Sequence, residues 1–156
     1  MDNNSPSKST FKTIQIIYTA LIFGVLLFTV LGYLLAQKPT FSLDMDTIFM
    51  VAIPVVAMAA YVLGNMLYTL LLRKTVLTST LNSKLVKYQT AVLVRVACIE
   101  APAFLAIAAT FMTNNAIFLL ISLLMIVLMY VQFPSKEKFK TAFTLDMKEK
   151  SELDKL

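Results

Sequence analysis

The chain has 156 residues, 58% of them hydrophobic and only 15% charged, with a mean hydropathy of +0.77. An ordinary soluble domain carries about 45–50% apolar and about 25% charged residues, so this composition cannot cover a water-facing surface and points to a single-domain integral membrane protein. The absence of His and the single cysteine, Cys98, exclude a Ser-His-Asp triad, a histidine metal site, an internal disulfide and a Cys-x-x-Cys redox pair.

Residues 1–12 form a short N-terminal segment containing Lys8 and Lys12. Four apolar stretches follow, at about 13–36, 47–72, 86–112 and 116–133. A spanning helix needs roughly 20 mostly apolar residues, so the sequence predicts an all-α fold: a polytopic four-transmembrane-helix bundle of two antiparallel hairpins over 13–133. The first stretch exceeds the roughly 7–15 apolar residues of a signal peptide and lacks a small-x-small cleavage site near Gln37, so it reads as a retained helix. Trp is absent, which leaves Tyr, Lys and Arg as interfacial anchors.

The connections are short. Asp44 and Asp46 sit where they complement the N-terminal dipole of the second helix. Ser83 is positioned as the N-cap of the third. Thr113-Asn114-Asn115 leaves almost no loop, which makes helices three and four an antiparallel hairpin. Both halves read as helix, short outer loop, helix, and Ala20-Leu21, Gly24 and Phe28 can be laid over Ala97-Cys98, Ala101 and Leu105 as a faint parallel repeat.

Orientation follows from the bases. In a four-span topology, 12 of the 14 Lys and Arg residues fall on one side: the N-terminal segment, the second loop (Arg73, Lys74, Lys84, Lys87) and the tail. Lys38 alone falls on the other. The positive-inside rule then makes both termini cytoplasmic and the location an inner (plasma) membrane. The same bias accounts for the net charge of +5, so the basicity is no argument for nucleic acid. The tail, 134–156, is charged, and Phe139, Phe143 and Met147 share one helical face. It is either an amphipathic helix on the anionic inner leaflet or a solvated tail.

Only Arg95 and Glu100 break the apolar spans. Each costs about 2.5–3.5 kcal/mol at a helix centre on insertion scales, which disfavours a lipid-facing position. Five residues of helix separate them by about 7–8 Å and about 140°, so each is expected to find partners on other helices. Depth matching offers Tyr61 and Asn65 of helix two, Tyr130 and Gln132 of helix four, and Tyr18 of helix one as acceptors for the guanidinium. Pro102 and Pro54 are expected to kink their helices and free the carbonyls of Cys98 and Met50. Glu100 is then either a titrating carboxylate for protons or cations or part of a polar clasp holding the bundle or a partner subunit.

Glu100-Ala101-Pro102 looks like the carboxylate helix of rotary-ATPase proteolipid subunits, but those pack through Gly-rich helices and this chain has three Gly. Small multidrug-resistance exporters carry their glutamate in the first helix of a shorter chain. A closer resemblance rests on Tyr88-Gln89-Thr90-Ala91, Arg95, Ala97, Glu100-Ala101, Thr113-Asn114 and Gln132-Phe133-Pro134-Ser135-Lys136-Glu137-Lys138. Over about residues 88–140 this pattern resembles a group of uncharacterised small membrane proteins of Bacteroidetes-type bacteria. In that group Gly usually follows the Glu and is common where Asn114 stands; here Ala101 and Pro102 follow it instead. The resemblance implies a bacterial inner-membrane protein and carries over no activity. The residues therefore predict a non-enzymatic membrane protein with no catalytic set, no metal and no cofactor. Its expected partners are the lipid bilayer and a second copy of the chain or another membrane protein. A small proton- or cation-coupled transporter using Glu100 is the alternative.

Overall fold

A computed structural model describes residues 6–36, 40–43, 48–73, 81–143 and 151. Among these the regular structure is helical: α1 (Pro6–Leu35), α2 (Ile48–Arg73), α3 (Leu81–Thr113), α4 (Ile117–Val131) and α5 (Lys136–Ala142). The segments Thr10–Leu35, Ile48–Arg73 and Leu81–Thr113 are each long and apolar enough to cross a membrane. The chain α4–α5 adds a fourth such segment only if the two helices, bent 75° apart, count as one. At 1.5 Å per residue the 15 residues of α4 reach about 22 Å, short of a hydrocarbon core of about 30 Å.

The helices exceed or fall short of their apolar stretches for local reasons. α1 starts at Pro6, a residue whose fixed φ suits a first turn. α3 starts at Leu81, so Ser83 is not its N-cap but lies within its first turn. There the polar residues before Val86 continue the helix because Leu81 and Leu85 are buried against the core. α4 ends at Val131, and Gln132 and Phe133 turn back onto the carbonyls of Leu128, Met129 and Tyr130. Helices α2 and α3 run without interruption through Pro54 and Pro102. Lys38, Asp44, Asp46 and Met147 lie outside the described residues.

α3 is the centre of the fold. It packs against α1, α2 and α4, whereas α1 and α2 scarcely touch each other. This corrects the expected pair of like hairpins: the second, α3–α4, is closed, and the first is held open by α3. Small side chains make α3 suited to the position, since Ala91, Ala103, Ala106 and Ala109 all lie on its buried face and let neighbouring backbones approach. Two glycines show how close they come. A Cβ on Gly64 of α2 would lie 3.0 Å from Cys98 Cβ and 3.3 Å from the Arg95 carbonyl oxygen, and one on Gly32 of α1 would lie 3.1 Å from Ile107. At Gly24 it would meet nothing within 4 Å. Gly64→Val is therefore expected to destabilise the protein by about 1–3 kcal/mol through overpacking. Gly24→Ala is expected to be neutral or to gain up to about 1 kcal/mol. Unfolding in detergent micelles measures both, and equal midpoints would refute the close approach at Gly64.

Two polar seams tie the helices. Along α1 and α4, Tyr18 donates its hydroxyl to the Met129 carbonyl at 2.9 Å, and Gln15 Nε2 donates to the Pro134 carbonyl at 3.2 Å. Thr29 and Ser122 hydroxyls meet at 2.7 Å, fully buried. Thr29 also donates to Val25, so Ser122 is the donor in that pair. At the α3–α4 turn Asn114 takes the left-handed conformation, φ 52°, that reverses the chain. Asn115 then accepts from the amides of Ser42 and Ile117 and donates to the Ser42 carbonyl, while Thr40 pairs with the same turn. The connection after α1 is thereby stitched to the connection before α4.

Over its described part the tail begins as a short helix docked on the bundle. Ser135 caps α5 by accepting from the Lys138 amide, and Phe139 is fully buried in the main core with Phe143 beside it. The 3.6-residue period that places Phe139 and Phe143 on one face turns that face inward, onto Tyr88.

Candidate functional site

Arg95 leaves α3 toward α2. One guanidinium nitrogen, Nη2, donates to Asn65 Oδ1, and its Cζ lies 4.8 Å from the centroid of the Tyr68 ring, a cation–π distance. Asn65 is itself oriented, because its Nδ2 donates to the Tyr61 carbonyl at 2.8 Å. Its oxygen is therefore the end presented to Arg95. Tyr68 meets Tyr88 edge-on with centroids 6.5 Å apart. Tyr88 in turn packs on Phe139 with centroids at 5.2 Å. A chain of contacts thus runs from Asn65 through Arg95, Tyr68 and Tyr88 to the C-terminal helix.

Of the acceptors expected for Arg95, Asn65 is brought to it. Tyr61 contributes a backbone carbonyl to Asn65, and its ring packs against the core. Tyr18 spends its hydroxyl on Met129. Tyr130 is 72% exposed and turned outward, so depth matching placed it at the right level on the wrong face. Gln132 is partly buried, and its Oε1 is without a hydrogen-bond partner, as is Arg95 Nε. Tyr68 was not singled out by the sequence, and Tyr88 entered only as part of the resemblance, not as a neighbour of the Arg95 site. Tyr68 lies three residues after Asn65, on the same helix face, and that spacing was the available signal.

Lys138, which entered the sequence reading only through the resemblance and the tail's charge, also belongs to this region. Its ammonium donates to the carbonyls of Val131 and Phe133, at 2.6 and 2.9 Å, and so covers the negative end of α4. Burial and the nearby Arg95 guanidinium both push its pKa below the ordinary lysine value.

Glu100 is separate. It is half-buried, and among the described residues no hydrogen bond or ion pair reaches it. It does not pair with Arg95, which fits their divergence of about 140°. Phe28 and Phe104 pack edge-on at 5.4 Å, and Gly32 faces Ile107, so α1 and α3 run in parallel register. One turn earlier on each helix stand Gly24 and Glu100, at the same level. The open space at Gly24 lies at that depth. Pro102 is buried and Pro54 exposed.

Among the described residues no group of His, Cys, Asp and Glu is arranged to hold a metal ion. Two separate polar features are present instead: Arg95 held by Asn65 and Tyr68 at the α2–α3 seam, with its Nε unpartnered, and, among the described residues, a carboxyl without a partner on the α1 side of α3. No protein family, no curated protein and no solved structure matches the chain.

Proposed function

We propose that this is a non-enzymatic, multi-pass protein of a bacterial inner membrane. In this reading its four spans are α1, α2, α3 and the short α4, both termini are cytoplasmic, and α3 organises a polar core and a contact with a second subunit. The exposed apolar faces support the membrane. Phe23, Leu34, Val55, Met58 and Val62 are all well exposed, far more apolar surface than a water-soluble protein leaves bare. The bilayer thins locally around α4. Arg95 with Asn65 and Tyr68 clasps α2 to α3 within the chain.

The observation that carries the subunit contact is Glu100: an ionisable group at mid-span, partly buried and without a polar partner among the described residues. In hydrocarbon such a group requires a partner from outside. A second copy supplies one where its α3 faces the first across the Gly24 opening, two carboxyls sharing a proton.

The same observation favours the alternative, a proton- or cation-coupled transporter, and one variant separates them. Glu100→Gln keeps the shape and the hydrogen-bonding capacity while abolishing titration. Under the assembly reading, chemical crosslinking in proteoliposomes yields the same dimer fraction for Glu100→Gln as for the parent. Glu100→Leu lowers that fraction several-fold, and neither protein passes protons above the lipid background. Proton or cation flux in the parent that is lost in Glu100→Gln would replace the assembly reading with transport.

A further inference from the structure

A cavity of about 630 Å³ opens between the C-terminal end of α2, α3 and α5. That is within the size range of small-ligand pockets. Three cationic side chains line it, from three different elements: Arg73, the last residue of α2, Arg95 of α3 and Lys138 of α5. One carboxylate, Glu137, lines it too, which leaves two positive charges in excess.

Two hydroxyls at its wall are already engaged as donors, Thr69 to the Asn65 carbonyl and Thr141 to the Glu137 carbonyl, while Ser135 Oγ accepts from the Lys138 amide. The charged donors at the wall are the three cations. Lys138 has used two of its three ammonium protons. Arg73 is exposed and makes no hydrogen bond or ion pair among the described residues. Arg95 uses one nitrogen on a neutral amide, so its charge is not neutralised. The depressed Lys138 pKa has the same origin, burial and an unneutralised like charge across the cavity.

The surroundings are amphiphilic. Leu72 and Ala142 complete the wall beside the cations, and the cavity sits at the end of α2, where the apolar span gives way to Arg73. We propose that this cavity binds a phosphate-bearing anion, the headgroup of an anionic phospholipid whose acyl chains lie along α2. Arg73 and Arg95 supply planar donor forks for phosphate oxygens, and Lys138 adds a point charge. The inference rests on the membrane-spanning reading above. It is independent of the subunit contact at Glu100.

The test is native mass spectrometry of the full-length protein in detergent micelles doped with phosphatidylglycerol or phosphatidylcholine, with a parallel thermal-shift titration against inorganic phosphate and glycerol phosphate. The parent is expected to retain phosphatidylglycerol and not phosphatidylcholine. Arg73→Gln is expected to weaken retention about five-fold, and adding Lys138→Gln to weaken it by a similar factor again. Lys12→Gln, which is outside this cavity, leaves retention unchanged. Arg73→Gln keeps the fold because nothing packs on that side chain's charge, and an unchanged parent-like melting midpoint verifies this. Arg73-dependent stabilisation by the soluble phosphates would identify a free phosphate as the source of the same chemistry. Equal retention of both lipids, with no response to soluble phosphate or no change in Arg73→Gln, overturns the site. Micelle binding has no sidedness, so a reporter fused after Leu156 that is active only outside the cell would sink the topology while leaving this result standing.

Discussion

Asn65→Leu is expected to cost about 2–3 kcal/mol of stability, because it strips a partly buried guanidinium of its side-chain acceptor. The magnitude distinguishes this contact from an ordinary interhelical hydrogen bond in a membrane protein, which averages about 0.6 kcal/mol. The difference is charge: a neutral donor left alone can be tolerated, but Arg95 cannot be discharged. Arg95 Nε already has no partner, so the residue has no spare acceptor to turn to. The Arg95→Leu, Asn65→Leu double variant is expected to recover part of the loss, with a coupling of about 1–2 kcal/mol in a double-mutant cycle. Tyr68→Leu, which removes only the aromatic face, is expected to cost about 1 kcal/mol. The measurement is reversible unfolding in mixed micelles. An Asn65→Leu variant within about 0.5 kcal/mol of the parent would remove the clasp from the account of the fold.

Phe139→Ala acts on a different object, the docking of α5. A helix of seven residues has no stability of its own. It is held by Phe139, fully buried against Tyr88, by Phe143, and by Lys138 on the end of α4. Truncating a buried Phe costs about 3 kcal/mol or more, enough to raise the population of the undocked helix on the order of 100-fold. Trypsin reads that population directly, since Lys136, Lys138 and Lys140 lie in α5 and cleavage follows the open fraction when opening is fast. Cleavage in α5 is expected to accelerate by that factor in Phe139→Ala and by far less in Phe139→Leu. Equal cleavage rates in parent and Phe139→Ala would show that α5 is held by something other than its aromatic face.

The three long apolar helices were legible in the sequence because apolar length is a one-dimensional property. Asn65 was legible as a partner of Arg95 for the same reason: depth along a span is residue number multiplied by rise. Azimuth is not encoded in that way. Tyr130 sits at a suitable level and faces outward, and Tyr61 offers its carbonyl instead of its hydroxyl. Which side of each helix meets which neighbour depends on small residues such as Gly64 and Ala103, whose contacts appear only once three helices are assembled. The Phe139 and Phe143 spacing announced a shared face, but an apolar face at the end of a bundle can turn to lipid or to protein, and periodicity does not choose. Arg73, Arg95 and Lys138 come together across 65 residues of chain, beyond the reach of any local pattern.

The open first hairpin has a consequence for biogenesis. Helices emerge from the ribosome in order, yet α1 and α2 have almost nothing to hold each other with. The surfaces they need belong to α3 and α4, and Ser42 in the connection between α1 and α2 is fastened by Asn115, synthesised about 70 residues later. Under the proposed membrane-spanning reading, the first two helices wait in the bilayer as separate spans, and the third enters between them as the element that completes the assembly.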